Sequence, residues 1–309
     1  MRKIVQSSPI WVAGEVLMDI FPDREVVGGG PANTARALGR LGHETEFIGG
    51  LSSDGYGVKA RAELVSAGVG IGLSLQGDKP TCTAHVRPRE DGTVEFRFTI
   101  DGTITFDFDS SWLPDPYKYK PKLLHVGTLG TLIEPGATAL YEWANCTADF
   151  APIIFDPNIR PLVLGDKARY RAVVEKWVAI SSVVKLSEED LVWLYATDEV
   201  ESVIRRWIEH GVQLVILTKG ALGIEAFTNN EHSSVPAHPL QFVDGVGAGD
   251  TVGAVFSEAV IQNGIINLRG DLLREVLRCA SVAAAITCSR PGAQPPTKFE
   301  LTTELEKSE

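Results

Sequence analysis

Short apolar runs alternate with longer stretches in which apolar positions recur every three or four residues, and this rhythm holds over most of the chain. The runs Ile10–Ala13, Glu46–Ile48, Leu123–Val126, Ile153–Phe155, Val183–Lys185 and Leu214–Leu217 predict strands. Between them Thr34–Leu41, Gly57–Ala67, Pro135–Asn145, Ala168–Ile180 and Val200–His210 read as amphipathic helices. Buried runs separated by crossover helices predict an α/β fold with a parallel sheet covered on both faces. One region breaks the rhythm. From Thr81 to Ile104 the text TCTAHVRPREDGTVEFRFTIDGTI alternates on both sides of Asp91-Gly92, a dipeptide that predicts a hairpin there. A shorter strand-like piece, Val16–Phe21, can join it in a small β appendage that leaves the main sheet early and returns. No linker or internal repeat divides the chain, so residues 1–309 are expected to fold as one unit, with the appendage formed by about 15–30 and 80–106. The charged tail after Thr297, KFELTTELEKSE, is expected to fray.

Composition narrows the function without naming it. With 44% hydrophobic and 22% charged residues over 309 positions, a core of ordinary size forms without covalent staples. No apolar run is long enough to predict a membrane-spanning helix, and the start, MRKIVQSSPIWVAGEV, enters a strand-like segment with no cleavage region. Cys82, Cys146, Cys279 and Cys288 are scattered with no CxxC pair, which argues against a zinc or redox motif and suits a reducing, cytoplasmic setting. The six histidines show no metal-ligand spacing. A net charge of −11 argues against non-specific nucleic-acid binding, but a local site can still oppose that field and hold a small anion.

The chemistry is concentrated in QFVDGVGAGDTVGAVF, Gln241 to Phe256, a glycine-rich turn that runs into an apolar helix predicted over Thr251–Gln262. A helix start presents unpaired N–H groups and the positive end of the macrodipole, and glycines let an anion approach them closely. The natural guest is a phosphate, with Gly247, Ala248 and Gly249 as donors. Asp250 beside that anion site is suited to taking a proton from a hydroxyl that attacks the phosphate, the remaining part phosphoryl transfer needs. The same aspartate would equally serve as an ordinary helix cap. There is no GxxxxGK[ST] loop, and GVGAGD ends in aspartate where a dinucleotide fingerprint needs glycine.

DGVGAGD resembles the DTxGAGD signature of the ribokinase-like carbohydrate kinases, the PfkB family. GGGPANTARALGRLG, Gly28–Gly42, and FIGGLSSDGYG, Phe47–Gly57, resemble the second signature of that family, in the expected order. GEVLMDIFP (Gly14–Pro22), FDPNIRPLVL (Phe155–Leu164), VVKLSEEDL (Val183–Leu191), LTKGALG (Leu217–Gly223) and AAAITCSRPGAQPPT (Ala283–Thr297) extend the likeness over nearly the whole chain, toward the fructokinase subgroup.

The resemblance implies a Rossmann-like αβα sandwich with a small β-sheet lid, and an ATP-dependent kinase acting on a sugar hydroxyl, most of all that of fructose. It implies Asp250 as the base and the Gly247–Gly249 turn, Ala248 included, as the anion hole. Asp19, Gly29, Gly30 and Asn33 would hold the sugar, with Arg160 close to the acceptor. Lys185, Thr218, Gly220, Gly223, Gly247 and Gly249 would line the nucleotide. Mg2+ would sit among the phosphates, Asp190 would reach it through water, and K+ would bind near the turn as in many members. The departures are Gly245 in place of the signature threonine, Val255 in place of a small residue, and Ser187 and Asp190 where the family has Asn and Glu. A 2-keto-3-deoxygluconate kinase is the nearest alternative, since Arg87, Arg89, Arg97 and Arg160 offer positive charge for a carboxylate. A non-catalytic sugar- or nucleotide-binding regulator is the alternative of another class. Open edges on the lid, with Ala84, Val86, Phe96 and Phe98 as a candidate surface, make a homodimer through the lid an expectation.

Overall fold

The computed structural model describes residues 8–88, 94–195 and 199–307. In chain order its first strands are β1 (Ile10–Ala13), β2 (Leu17–Ile20), β3 (Glu25–Gly28), β4 (Thr45–Ile48), β5 (Gly50–Ser52), β6 (Val69–Gly70) and β7 (Leu75–Gly77). They are followed by β8 (Thr83–Pro88), β9 (Val94–Thr99), β10 (Leu123–Gly127), β11 (Ile153–Asp156), β12 (Val183–Ser187), β13 (Leu214–Thr218), β14 (Ile224–Phe227) and β15 (His232–Val235). The main sheet has nine strands in the order β15-β14-β13-β12-β11-β10-β1-β4-β6. From β13 to β6 every pairing is parallel, while β14 and β15 extend the sheet antiparallel.

Alternation along each strand builds two cores. Ile10 and Val12 of β1 face one, Trp11 and Ala13 the other; Leu214 and Ile216 of β13 divide from Val215 and Leu217 in the same way. Helices α1 (Gly30–Arg40), α2 (Gly55–Ser66), α8 (Ala248–Asn263) and α9 (Gly270–Cys288) cover the first face. The second is covered by α4 (Gly136–Thr147), α5 (Lys167–Val178), α6 (Glu188–Tyr195) and α7 (Val200–Glu209). A short α3 (Pro116–Tyr119) precedes β10. The long apolar positions of the parallel strands are thus buried on both sides, as their unbroken runs require.

A second sheet of four strands, in the order β3-β2-β8-β9, stands beside the first. The segment around Val16–Phe21 does pair with the predicted hairpin: β2 runs parallel to β8, and β8 antiparallel to β9. Asp91-Gly92, where the reversal is expected, lies outside the described residues. Ala84 is buried in the core beside Leu17 and Cys82, with Phe98 half-buried against it. These two side chains therefore serve the body of the protein rather than a free surface.

The tail departs from expectation. Instead of fraying, Lys298–Lys307 forms α10, started by a capping box. The Thr297 N–H and hydroxyl donate to Glu300 Oε2 at 2.7 and 2.9 Å, and the Glu300 N–H returns a bond to Thr297 Oγ1 at 3.2 Å. Leu301 is buried in the first core, and Lys298 pairs with the buried carboxylate of Glu258 at 2.6 Å.

Candidate active site

In open parallel sheets ligands sit beyond the carboxyl ends of the strands. Here the polar residues gather in that place. Glu15 follows β1, Thr128 follows β10, Asp156 ends β11 with Asn158 and Arg160 just after it, Lys185 and Ser187 lie at the end of β12, and Thr218 ends β13. These strands are consecutive neighbours in the sheet, so residues far apart in sequence share one rim.

Helix α8 completes the rim from above. Gly247 takes φ 80°, a left-handed conformation suited to glycine, and the helix begins at Ala248. A Cβ on Gly247 would lie 2.6 Å from that of Ala293. The preceding loop is fixed by Asp244, which accepts from the Val246 N–H at 3.1 Å and the Gly292 N–H at 2.8 Å. No side chain caps the helix start; the Ala248 N–H makes a long bond to the Gly245 carbonyl at 3.3 Å, one that an anion can compete for. Asp250, in the first turn, is 7% exposed and accepts from Asn33 Nδ2 at 2.9 Å. Burial pushes its carboxyl up to about 6, with Lys185 opposing the shift and Asp156 adding to it.

A cleft and a cluster of polar groups adjoin at Gly249–Asp250. The cleft, of about 990 Å³, is lined by Lys185, Asp190, Thr218, Gly220, Gly223 and Gly249, with Arg160 at its edge. Every residue expected on the nucleotide side except Gly247 therefore lines one cleft. Gly223, at φ 106°, must be glycine, since a Cβ would fall 2.0 Å from the Val235 carbonyl. Phe242 and Leu222 are exposed apolar residues in the cleft wall, suited to a flat base. Asp190 has both oxygens turned to backbone amides, those of Ile159 at 3.2 Å and Ser187 at 3.4 Å. It thereby closes a capping box with Ser187 at the start of α6, and burial followed by the Asp156 charge pushes its carboxyl up to about 6.

The polar cluster lies over the start of α1. A Cβ placed on Gly30 would come within 2.6 Å of Thr128 Oγ1, 2.9 Å of Asn158 Nδ2 and 3.3 Å of Asp250 Oδ1, so three polar groups converge above this glycine. Asn33 and Gly30 both belong to α1, and Gly29, at φ 107°, turns the chain from the second sheet into that helix. Asp19 reaches back across β3: its Oδ2 lies 2.3 Å from where a Cβ on Gly28 would stand. Burial pushes Asp19 up to about 6, against the charge of Arg160. Arg160 makes no ion pair among the described residues, its guanidinium donating to the carbonyls of Asn158 and Ile159 at 3.1 and 3.0 Å. Asp19, Gly29, Gly30, Asn33 and Asp250 thus sit on the side of Gly249 away from the cleft, with Asn158 and Arg160 at the junction.

Of four further groups here, Glu15 and Thr128 were not singled out from sequence, while Asp156 and Asn158 entered only within the segment FDPNIRPLVL. Glu15 is 1% exposed and accepts from the Gly130 N–H at 2.9 Å, and burial pushes its carboxyl up to about 7. Thr128 (φ 57°) and Asn158 (φ 39°) hold left-handed backbone without being glycine. Such strain of about 1–3 kcal/mol tends to persist at functional sites. Asp156 pairs with Lys185 at 2.7 Å in the protein interior. The segment FDPNIRPLVL was the available signal for Asp156 and Asn158, and asparagine is a type enriched in left-handed backbone; for Thr128 there was none.

A model of the pfkB family carbohydrate kinases matches residues 11–299, and the chain belongs to that family, phosphotransferases that act on an alcohol group. The fructokinase of Rhizobium leguminosarum bv. trifolii is 30% identical over 269 residues, which cover 84% of this chain and 82% of that protein. Probable fructokinase-4 of Arabidopsis thaliana is 30% identical over 308 residues, covering 93% and 94%. A Xylella fastidiosa fructokinase solved with bound ATP superposes with a TM-score of 0.88 at 25% identity, over 97% of this chain and 99% of its own. Aminoimidazole riboside kinase from Salmonella enterica shares the fold, with a TM-score of 0.80 at 21% identity over 96% and 99%.

Proposed function

We propose that this chain is an ATP-dependent fructokinase in which Asp250 is the general base. The observation that carries the reading is the position of Asp250: it stands where the helix-start donors, the cleft and the polar cluster over Gly30 meet. A nucleotide in the cleft would direct its terminal phosphate at the N–H groups of Ala248 and Gly249. A hydroxyl over Gly30 would lie within reach of Asp250 Oδ1, which takes its proton as the oxygen attacks phosphorus. Asn33 holds the other carboxylate oxygen and so fixes the direction of proton transfer. Asp19, with Gly29 and Gly30, would grip the remaining hydroxyls, since a carboxylate accepts from two of them.

The relatives that bear the fructokinase name support the choice of sugar. Mg2+, when bound with ATP, neutralises phosphate charge, and Asp190 would touch its water shell rather than the ion, because both its oxygens already accept amides. K+ beside the glycine turn is part of the proposal; a Vibrio cholerae O395 fructokinase double mutant was solved with fructose, ADP and potassium ion. One observation favours a second reading. Arg160, without an ion pair among the described residues, would suit the carboxylate of 2-keto-3-deoxygluconate. The second sheet acts in this scheme as a lid that excludes water, with its outer strands β3 and β9 as the edges of a homodimer. No helix of the described residues is long and apolar enough to cross a membrane, and we place the protein in the cytoplasm.

The test is ADP release with ATP, Mg2+ and K+ against fructose, 2-keto-3-deoxygluconate, ribose and aminoimidazole riboside, with Asp250→Asn alongside. We expect turnover on fructose that falls by about 10²–10⁴ in the variant, the share a general base supplies. Turnover that survives the substitution would remove Asp250 from its role. Tight binding of ATP and sugar with no product would favour a regulator.

A further inference from the structure

We propose that the buried Lys185–Asp156 pair is a positioning device that tunes the charge of Asp250, the lysine favouring the carboxylate and the aspartate opposing it. The inference rests on the reading of Asp250 as the base, and it gives Lys185, in the wall of the cleft, and its buried partner Asp156 a second role, in the charge of that base.

The geometry is specific. Lys185 and Asp156 stand on the adjacent strands β12 and β11, at 5% and 4% side-chain exposure, with Nζ 2.7 Å from Oδ2. A pair in the open would be screened and worth little; in the interior each charge keeps its reach. Lys185 Nζ lies 2.8 Å from the place a Cβ on Gly249 would occupy, directly against the first turn of α8 and one residue from Asp250. The pairing is also incomplete on both sides. An ammonium has three donors, and among the described residues only Asp156 accepts from this one. Asp156 Oδ1 is buried with no hydrogen-bond partner among the described residues. A pair that neutralised itself would use these groups; this one leaves field to spare toward Asp250.

The other groups around Asp250 are weaker levers. Asn33 donates a neutral hydrogen bond from α1, and Arg36, on the same helix, is drawn mainly to Glu63 at 3.2 Å. Arg160 acts from the loop after β11, and Glu15 from the end of β1. His125 of β10 packs under Gly253, but burial holds it down at about 4, so it is neutral when the enzyme works. Asp190 faces Lys185 from the opposite side. Although burial works against its charge, the carboxylates of Asp156, Asp250 and Asp190 together hold Lys185 above the usual lysine range, so it remains cationic. Removing either partner should therefore move the titration of Asp250, and in opposite directions. A pair that merely ties β11 to β12 would weaken the fold in both variants without such a split.

The experiment compares Lys185→Met, Asp156→Asn and the double variant with the wild-type chain. Two readouts are taken: the acidic limb of kcat/KM for fructose, and the titration of the Asp250 side-chain carbon by NMR of protein labelled at the aspartate carboxyls. Asp250→Asn assigns the resonance. Lys185→Met should raise the midpoint by about one pH unit, a modest effect for a close opposite charge. Asp156→Asn should lower it by a similar amount, and the double variant should return toward the wild type. Each single variant decides by the sign of its own shift, so misfolding of one leaves the other. Midpoints that stay fixed, or that move the same way in both, overturn the proposal. If no sugar is phosphorylated, the reading of function falls, while the NMR midpoints still decide the pair.

Discussion

Gly30→Ala isolates the acceptor space from everything else in the molecule. Gly30 is the first residue of α1 and does not take a positive φ, so alanine fits its backbone. Helix propensity alone would favour the change by up to about 1 kcal/mol. Against this, the new methyl would stand 2.6 Å from Thr128 Oγ1, 2.9 Å from Asn158 Nδ2 and 3.3 Å from Asp250 Oδ1. Overpacking of that kind costs about 1–3 kcal/mol, so the net change is at most about 3 kcal/mol and the variant should fold. The effect on the reaction is larger. A methyl where three polar groups converge pushes the acceptor oxygen off line by about 1 Å, a displacement worth about 10²-fold in rate. The assay is initial-rate ADP release across a range of fructose concentrations, with the affinity for a non-hydrolysable ATP analogue measured in parallel. We expect kcat/KM for fructose to fall by about 10²-fold, and nucleotide affinity to hold because Gly30 does not line the cleft. A variant that phosphorylates fructose as fast as the wild type would show that the acceptor does not lie over Gly30. Loss of nucleotide binding would show that the cleft and the polar cluster are not separable as described.

Further outcomes follow from the same geometry. Asp250 titrates at about 6 in the fold against 3.8 ordinarily, so the folded chain holds the proton more tightly and stability falls as pH rises through that window. Asp250→Asn, though inactive, should accordingly unfold several degrees higher at pH 8, a gain of up to about 3 kcal/mol that vanishes near pH 4; an unchanged or lower melting point at pH 8 would refute this. Gly247→Ala must adopt φ 80° and meet Ala293 at 2.6 Å. It should cost about 1–2 kcal/mol from the left-handed backbone alone and raise KM for ATP more than KM for fructose. Ending the chain after Thr297 removes Leu301, 1% exposed, and uncovers Glu258, and urea unfolding should register a loss of about 2–4 kcal/mol.

What the chain discloses by itself depends on how local the constraint is. Ile10–Ala13 has the bounds its apolar run predicts, since burial on both faces of a parallel sheet leaves no polar position to confuse the reading. The strand His232–Val235, reading HSSV, offers no such signal because it lies at the sheet edge, half in water. The tail misleads by its charge: TKFE is a capping box, and Leu301 with Leu305 supplies a single apolar row at helical spacing, which is all a helix lying on a core needs. Gly247 was singled out from the glycine-rich turn and Gly29 and Gly223 from the family resemblance; the φ values and crowding of all three demand glycine.

The strained and charged members of the site obey a different rule. Thr128 holds left-handed backbone because tertiary packing imposes it, and a β-branched residue does not betray that beforehand, whereas Asn158 is of a type that tolerates it. Asp156 and Lys185 each end an apolar strand, and alone each is an ordinary charge at the rim of a sheet. Their meaning appears when β11 and β12 prove to be neighbours and α8 settles across both, bringing its first turn at Gly249 against the lysine. A sequence motif marks the groups that must touch the reactants. The field that prepares those groups is assembled from strand order, which no single stretch of the chain contains.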